Sequence, residues 1–154
     1  MRLTNATEQA ISIMAIIAMQ DPSTMVTSDI IYNKLSVSQS YIKKLLRKLV
    51  VSNLIESISG SNGGFRLKKD ISNISLLEIV EAIEGPIVTF PDKGVITRAF
   101  SDFDKKAVCG HNVVLNYFKD ADNEWKNYLK LVSIEDILKK IFQTDIPFVD
   151  WNKI

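Results

Sequence analysis

Lys43, Lys44, Arg47 and Lys48 place four cations, and no acid, between Val37 and Ile55. A solvated helix normally mixes charge signs to gain i,i+4 pairs. A face of one sign instead suits a polyanion, with Lys and Arg donating to phosphate oxygens or to guanine O6 and N7. At 100° per residue, Ser40, Lys44 and Arg47 share the centre of one helix face, opposite Leu45, Leu46 and Leu49, and Lys43 and Lys48 flank it. The second reactive group is Cys109-Gly110-His111, which holds the only cysteine and the only histidine of the chain. A thiol just ahead of a helix N-terminus, with an imidazole two residues on, has surroundings that favour the thiolate. One Cys and one His cannot by themselves hold an iron–sulfur cluster or a four-ligand zinc within a subunit, so neither metal nor cofactor is expected. There is no P-loop, GxSxG or HExxH, and the acid pair Asp102/Asp104 has no basic partner to tune it. These absences argue against an enzyme.

The elements that must carry these groups follow from periodicity and punctuation. Asn5-x-x-Glu8 reads as a capping box opening a helix that runs to about Met19, apolar on nearly every side after Ala10. Asp21-Pro22-Ser23 breaks it. Thr27-Ser28-Asp29 caps a short second helix ending near Leu35, and Ser36-Val37 turns the chain to Ser38, the next cap candidate. From Gln39 to about Val51, Ile42, Leu45, Leu46, Leu49 and Val50 form a helical stripe, which completes a helix-turn-helix pattern. Residues 54–58 and 65–68 flank Ser59-Gly60-Ser61-Asn62-Gly63-Gly64, and so read as a hairpin in the position of a wing. In that turn Gly63 and Gly64 permit positive φ and close approach of backbone to a phosphate. Arg66, Lys68 and Lys69 add charge.

Ser75-x-x-Glu78 caps a helix of about Leu76 to Glu84, stopped by Gly85-Pro86. The stretch Ile87 to Gly110 reads as an irregular connection. From Asn112 to Val132 there is no Gly or Pro, and Val114, Phe118, Ala121, Trp125, Tyr128 and Val132 are spaced 4, 3, 4, 3 and 4. That is an a/d seam, on a helix longer than the small winged domain can cover, so it reads as a dimerisation helix. Ser133-x-x-Asp136 opens a last helix to about Phe142, and the apolar tail (Ile146, Phe148, Trp151, Ile154) has contacts that the sequence does not specify.

The expected architecture is mostly α with one small β-hairpin. It comprises a winged helix-turn-helix domain (1–85), a connection (86–111), dimerisation helices (112–143) and a tail (144–154). The chain of 154 residues is 46% hydrophobic and 24% charged, an ordinary globular composition. A single cysteine excludes intramolecular disulfides and fits a reducing cytoplasm. No run reaches the roughly 18 uninterrupted apolar residues of a membrane span. Ala10 to Met19, behind Arg2, reads as a buried helix rather than a leader. The net charge of +1 conceals a division: residues 1–69 hold nine basic and four acidic side chains, and residues 70–154 hold ten and fourteen. The first part is +5 and the second −4, which sets a basic half toward a polyanion beside an acidic half.

Four segments, MRLT at 1–4, SxSYI at 38–42, SGSNGGFRL at 59–67 and ISLLEIVEAIEG at 74–85, resemble the Rrf2 family of bacterial winged-helix regulators along the first 145 or so residues. The resemblance implies a homodimeric transcription regulator, most often a repressor, bound to an inverted-repeat operator on double-stranded DNA. It places Ser38, Ser40, Tyr41, Lys43 and Lys44 at the major groove and the wing residues Ser59, Gly60, Ser61, Asn62, Gly63 and Gly64 at the minor groove; Arg47 and Lys48 are DNA-binding candidates from the helix face itself. Lys43 and Lys44 can meet guanine or phosphate, Ser38 can meet phosphate or merely cap, and Tyr41 can meet phosphate or pack its ring. Where family members often carry Arg before the first wing glycine, this chain has Ser59. Cluster-binding members supply three cysteines before the long helix, and this chain supplies only Cys109. Two roles for Cys109 follow, a thiol sensor of a small oxidant or electrophile, as in some relatives, or an inert filler of the dimer interface. A different class, a winged helix that binds protein without DNA, remains the alternative, disfavoured by the all-basic helix.

Overall fold

The computed structural model describes residues 2–60, 62–103 and 105–154; Met1, the wing residue Ser61 and the acid Asp104 lie outside the described residues. The chain divides into two compact units, residues 2–85 with 129–154, and residues 86–128.

The first unit is a winged helix-turn-helix. Helix α1 (Asn5–Ala18) buries Ala10, Ile13, Met14, Ile17 and Ala18. Helices α2 (Ser28–Leu35) and α3 (Gln39–Val51) pack on it through Ile31, Ile42, Leu45, Leu46 and Leu49. The turn between them uses Ser36 in the left-handed region, φ 52°. Strands β1 (Ile55–Ile58) and β2 (Gly64–Leu67) form the antiparallel wing hairpin, with Ile55 opposite Leu67 and Ile58 opposite Gly64. Val26, between α1 and α2, pairs with Phe65 and occupies the third-strand position. Helix α4 (Leu76–Glu84) closes the core with Ile79 and Ile83. Burying each such side chain contributes about 1.5–3 kcal/mol before the entropy of ordering it.

Two caps hold the outer helices. Ser75 and Ser133 stand opposite each other in an isolated bridge, and each closes a capping box, with Glu78 on α4 and with Asp136 on α7 (Ile134–Phe142). Leu76 N donates to Val132 O at 2.8 Å and Ile134 N to Ile74 O at 3.0 Å. This ladder sets Ile134 and Leu138 of α7 into the core of the winged unit.

The expected Asn5/Glu8 capping box is not made. Thr4 occupies the cap position of α1 without a side-chain cap bond. Instead Glu84, at the end of α4, accepts from Thr4 N at 2.9 Å and from the hydroxyls of Thr4 and Thr7 at 2.6 Å each. A carboxylate 80 residues away therefore satisfies the start of α1, a pairing with no local sequence signal. The Thr4 and Thr7 hydroxyls hold the Glu84 carboxyl below its ordinary range.

In the second unit the stretch expected to be irregular has structure. Helix α5 spans Val95–Ala99, a 3-10 turn spans Ser101–Phe103, and α6 (Lys105–Lys130) begins seven residues before the expected Asn112. Residues 89–92 are latched along α6. Thr89 donates through N (3.0 Å) and Oγ1 (2.7 Å) to Asp122, Phe90 stacks on Phe118 at 4.8 Å, and Asp92 Oδ2 is 3.2 Å from His111 Nε2. These contacts support a helix that continues through Gly110, which by propensity alone costs about 1 kcal/mol relative to Ala. The helix also ends earlier than expected: Val132 lies past Lys130, and its carbonyl belongs to the ladder with Leu76. Among the described residues no helix is long and apolar enough to cross a membrane.

Candidate nucleic-acid interface

Helix α3 forms because its apolar residues recur on one face and are buried there, which turns the remaining residues outward. Ser38, Ser40, Lys43, Lys44, Arg47 and Lys48 are all exposed. Lys43, Lys44 and Arg47 have no acid within 4 Å among the described residues, so their charge is free for a ligand. Lys48 is different. Its Nζ donates to the carbonyl of Ile83 at the end of α4, which satisfies a C-terminal helix carbonyl and ties α3 to α4. The structure therefore turns Lys48, grouped with the other three by sequence, toward its own fold.

Ser38 sits at the N-cap position without a cap bond, its Oγ 3.4 Å from Ser40 Oγ. Both side chains are exposed, so capping does not occupy Ser38. Tyr41 is half-buried and packs against the core, as ring packing at the helix edge requires. Gln39, which sequence reasoning passes over, donates from Nε2 to Asp29 Oδ1 at 2.9 Å and braces the start of α3 against α2.

The wing stands in the same unit. Ser59, Gly60 and Asn62 are exposed, and Gly63 N donates to Gly60 O at 3.0 Å to close its turn. Gly63 is required for room rather than for positive φ: a Cβ there would stand 2.2 Å from Ile58 O. At Gly64 a Cβ would stand 2.6 Å from Val26 O, so glycine permits the strand pairing with Val26. The cations beyond the wing are partly committed. Arg66 pairs with Glu56, Lys68 donates to Asn53 Oδ1, and Lys69 pairs with Glu78 at 2.5 Å. The wing tip is thus neutral and small, made of Ser, Gly and Asn, while Lys68, bonded only to the neutral Asn53 amide, keeps its charge uncompensated among the described residues, as Lys43, Lys44 and Arg47 do on α3.

Neither surrounding expected to activate Cys109 is in place. Its side chain is exposed, but it is the fifth residue of α6, beyond the first turn where the helix dipole acts. The imidazole of His111 is turned to Asp92, with Nδ1 buried and unpartnered among the described residues.

On the expected seam, Phe118 is covered on one side by Phe90, and Val114 and Trp125 are half-buried. Ala121 and Tyr128 are exposed, Tyr128 at 70%. Val113 and Tyr117, outside the seam as read from the heptad, are also exposed, Tyr117 at 74%. Positions 113, 117, 121 and 128 fall within an arc of roughly 80° at 100° per residue, so the uncovered apolar stripe of α6 is rotated from the heptad reading. The latch of residues 89–92, invisible to periodicity, occupies the other side.

Comparison with known proteins agrees with this geometry. The Rrf2 family, described as iron-dependent transcriptional regulators, matches residues 3–140. The HTH-type protein YwgB of Bacillus subtilis strain 168 is 29% identical over 141 residues, covering 92% of this chain and 86% of its own. Among solved structures, CymR, the global cysteine regulator of B. subtilis, superposes with a TM-score of 0.66 at 19% identity, over 94% of this chain and 99% of that one. IscR of T. potens gives a TM-score of 0.60 at 18% identity, over 94% and 93%. Both share the fold of this chain.

Proposed function

Since this chain belongs to the Rrf2 family of transcriptional regulators, we propose that it works as a homodimeric repressor that binds an inverted-repeat operator in double-stranded DNA. Two α3 helices enter successive major grooves roughly 34–36 Å apart, or a multiple of that spacing. Lys43, Lys44 and Arg47 meet base edges or phosphates, Ser38 and Ser40 meet phosphate, and the small wing tip approaches the minor groove. The uncovered apolar stripe of α6 meets its counterpart in the second copy. Regulation of transcription puts this work in the cytoplasm.

The observation that carries the reading is the exposed face of Lys43, Lys44 and Arg47, unpaired with any acid among the described residues, beside a glycine-built wing. DNA selected from a random library supplies the operator. Lys44→Ala and Arg47→Ala are expected to weaken its binding about tenfold each, with little change in folding. The slope of log K against log salt is expected to become shallower by roughly 0.9 for each phosphate that is no longer neutralised. Unchanged affinity in fluorescence polarisation would refute the assignment.

An iron–sulfur cluster as the iron of the family's description does not fit the residues of this chain. A cluster needs several thiolate or imidazole ligands; Cys109 is the sole cysteine of the sequence, and His111 Nε2 is engaged by Asp92. Response to a small oxidant or electrophile through Cys109 rests on the exposure of its thiol alone. A Cys109→Ser protein that still loses DNA on oxidation would overturn it.

A further inference from the structure

The C-terminal tail, whose contacts the sequence does not specify, docks beside the segment that braces the wing. Residues 19–26 have neighbours on two sides. On one, Val26 N donates to Phe65 O at 3.1 Å and Phe65 N to Val26 O at 2.8 Å, which attaches the segment to β2. On the other, Val149 N donates to Met19 O at 2.7 Å and Asp21 N to Val149 O at 3.1 Å, a parallel bridge to the tail. Gln20, buried at 5% exposure, lies between them, its Oε1 accepting from Trp151 N at 3.2 Å and its Nε2 donating to Thr24 and Asp150.

The tail also reaches both helices that flank this segment. Trp151 Nε1 donates to Ile16 O on α1 at 2.8 Å, and the ammonium of Lys34 on α2 lies 4.1 Å over the Trp151 ring centroid. Asn152 Nδ2 donates to Met25 O at 3.2 Å, one residue before the strand pairing. A cavity of about 390 Å³ lies where Thr27, the wing residues Asn62 and Gly63, and Asn152 come together. A buried polar group needs partners, and here the tail supplies them to the buried Gln20 side chain and also bonds the Met25 carbonyl.

We propose that Val149–Asn152 are positioning residues for the wing. The tail holds residues 19–26 in the register that Phe65 requires, and so sets the wing beside α3 for DNA. Loosening the tail frees Val26 from β2 and lowers DNA affinity while leaving α3 and its cations in place. The last step alone rests on the DNA-binding reading; the structural step does not.

The test uses the full chain with Trp151→Ala, Trp151→Phe and Asn152→Ala, read by amide hydrogen exchange and by affinity for the selected operator. For Trp151→Ala, exchange at the Val26 and Phe65 amides is expected to speed about tenfold, the Leu45, Leu46 and Leu49 amides of α3 to stay as in the parent, and affinity to fall about tenfold. Trp151→Phe keeps a ring under Lys34 and is expected to recover part of both effects. Unchanged exchange at Val26 and Phe65 overturns the proposal, and so does an equal loss of protection in α3, which would make the tail ordinary core. Should Trp151→Ala fail to fold, Asn152→Ala, which removes the bond to Met25 O from an exposed side chain, decides by the same selective pattern. A parent protein that binds no DNA would remove the functional reading and leave the exchange result to judge the tail's hold on Val26.

Discussion

The two units bury their side chains very differently. The winged unit encloses a continuous core drawn from α1, α2, α3, β1, α4 and α7. In residues 86–128 only Ile87, Ala107 and Asp122 are buried among the described residues, although α6 alone runs for 26. On α6, Tyr117 and Tyr128 are more than two-thirds exposed. Within its own unit this helix is steadied by the three contacts of residues 89, 90 and 92. The winged unit thus rests on a shared core, whereas α6 carries exposed aromatic side chains.

Substitutions should separate the two halves of this contrast. The largest effect is expected from Tyr117→Asp or Tyr128→Asp, both on the uncovered stripe of α6. Either puts a charge in the proposed subunit contact, giving the mass of a single chain in sedimentation and at least about a 30-fold loss of DNA affinity, as for a hot-spot residue. An intact dimer would show that the stripe is misplaced. Next, Ile13→Ala opens a cavity in the winged core and is expected to cost about 2–5 kcal/mol in denaturant unfolding. Tyr117→Ala, at an exposed site, is expected to stay within about 0.5 kcal/mol for the unpaired chain. Equal costs at the two sites would erase the distinction between the units.

The smallest effect concerns Glu84. Its carboxyl is held below the ordinary 4.5 by the hydroxyls of Thr4 and Thr7. A depressed carboxylate adds stability that is fully present above its unfolded pKa and is lost as pH falls through the folded value. The parent should therefore exceed Glu84→Gln in stability near neutral pH, with the gap closing below about pH 4.5. A gap independent of pH in acid-unfolding curves would show that the Thr4 and Thr7 bonds do not depend on the charge.

Much of the interface is legible in the sequence because it is local. The stripe of Ile42, Leu45, Leu46 and Leu49 dictates which residues of α3 point outward, and the boundaries Gln39–Val51 match the expected ones. The capping boxes at Ser75 and Ser133 are readable for the same reason, since donor and acceptor are three residues apart. Lys48 is not separable from Lys44 by sequence, because its partner carbonyl lies 35 residues away on α4. The start of α6 departs from the expected Asn112 because propensity weighs Gly110 against a helix, while the latch of Asp92 on His111 and Thr89 on Asp122 is long-range.

The winged helix-turn-helix, the all-basic face of α3, the small wing and the lack of donors for a cluster are written into the chain itself. Each follows from residue type and short-range spacing, which fix period, capping and charge. Folding in three dimensions settles the rest: Glu84 accepts from the start of α1, Lys48 is tied to the end of α4, Tyr117 and Tyr128 of α6 are exposed, and Trp151 reaches the segment paired with the wing. All of these depend on residues distant in the chain. Local spacing carries no information about which distant partner will satisfy a buried polar group or cover an apolar side.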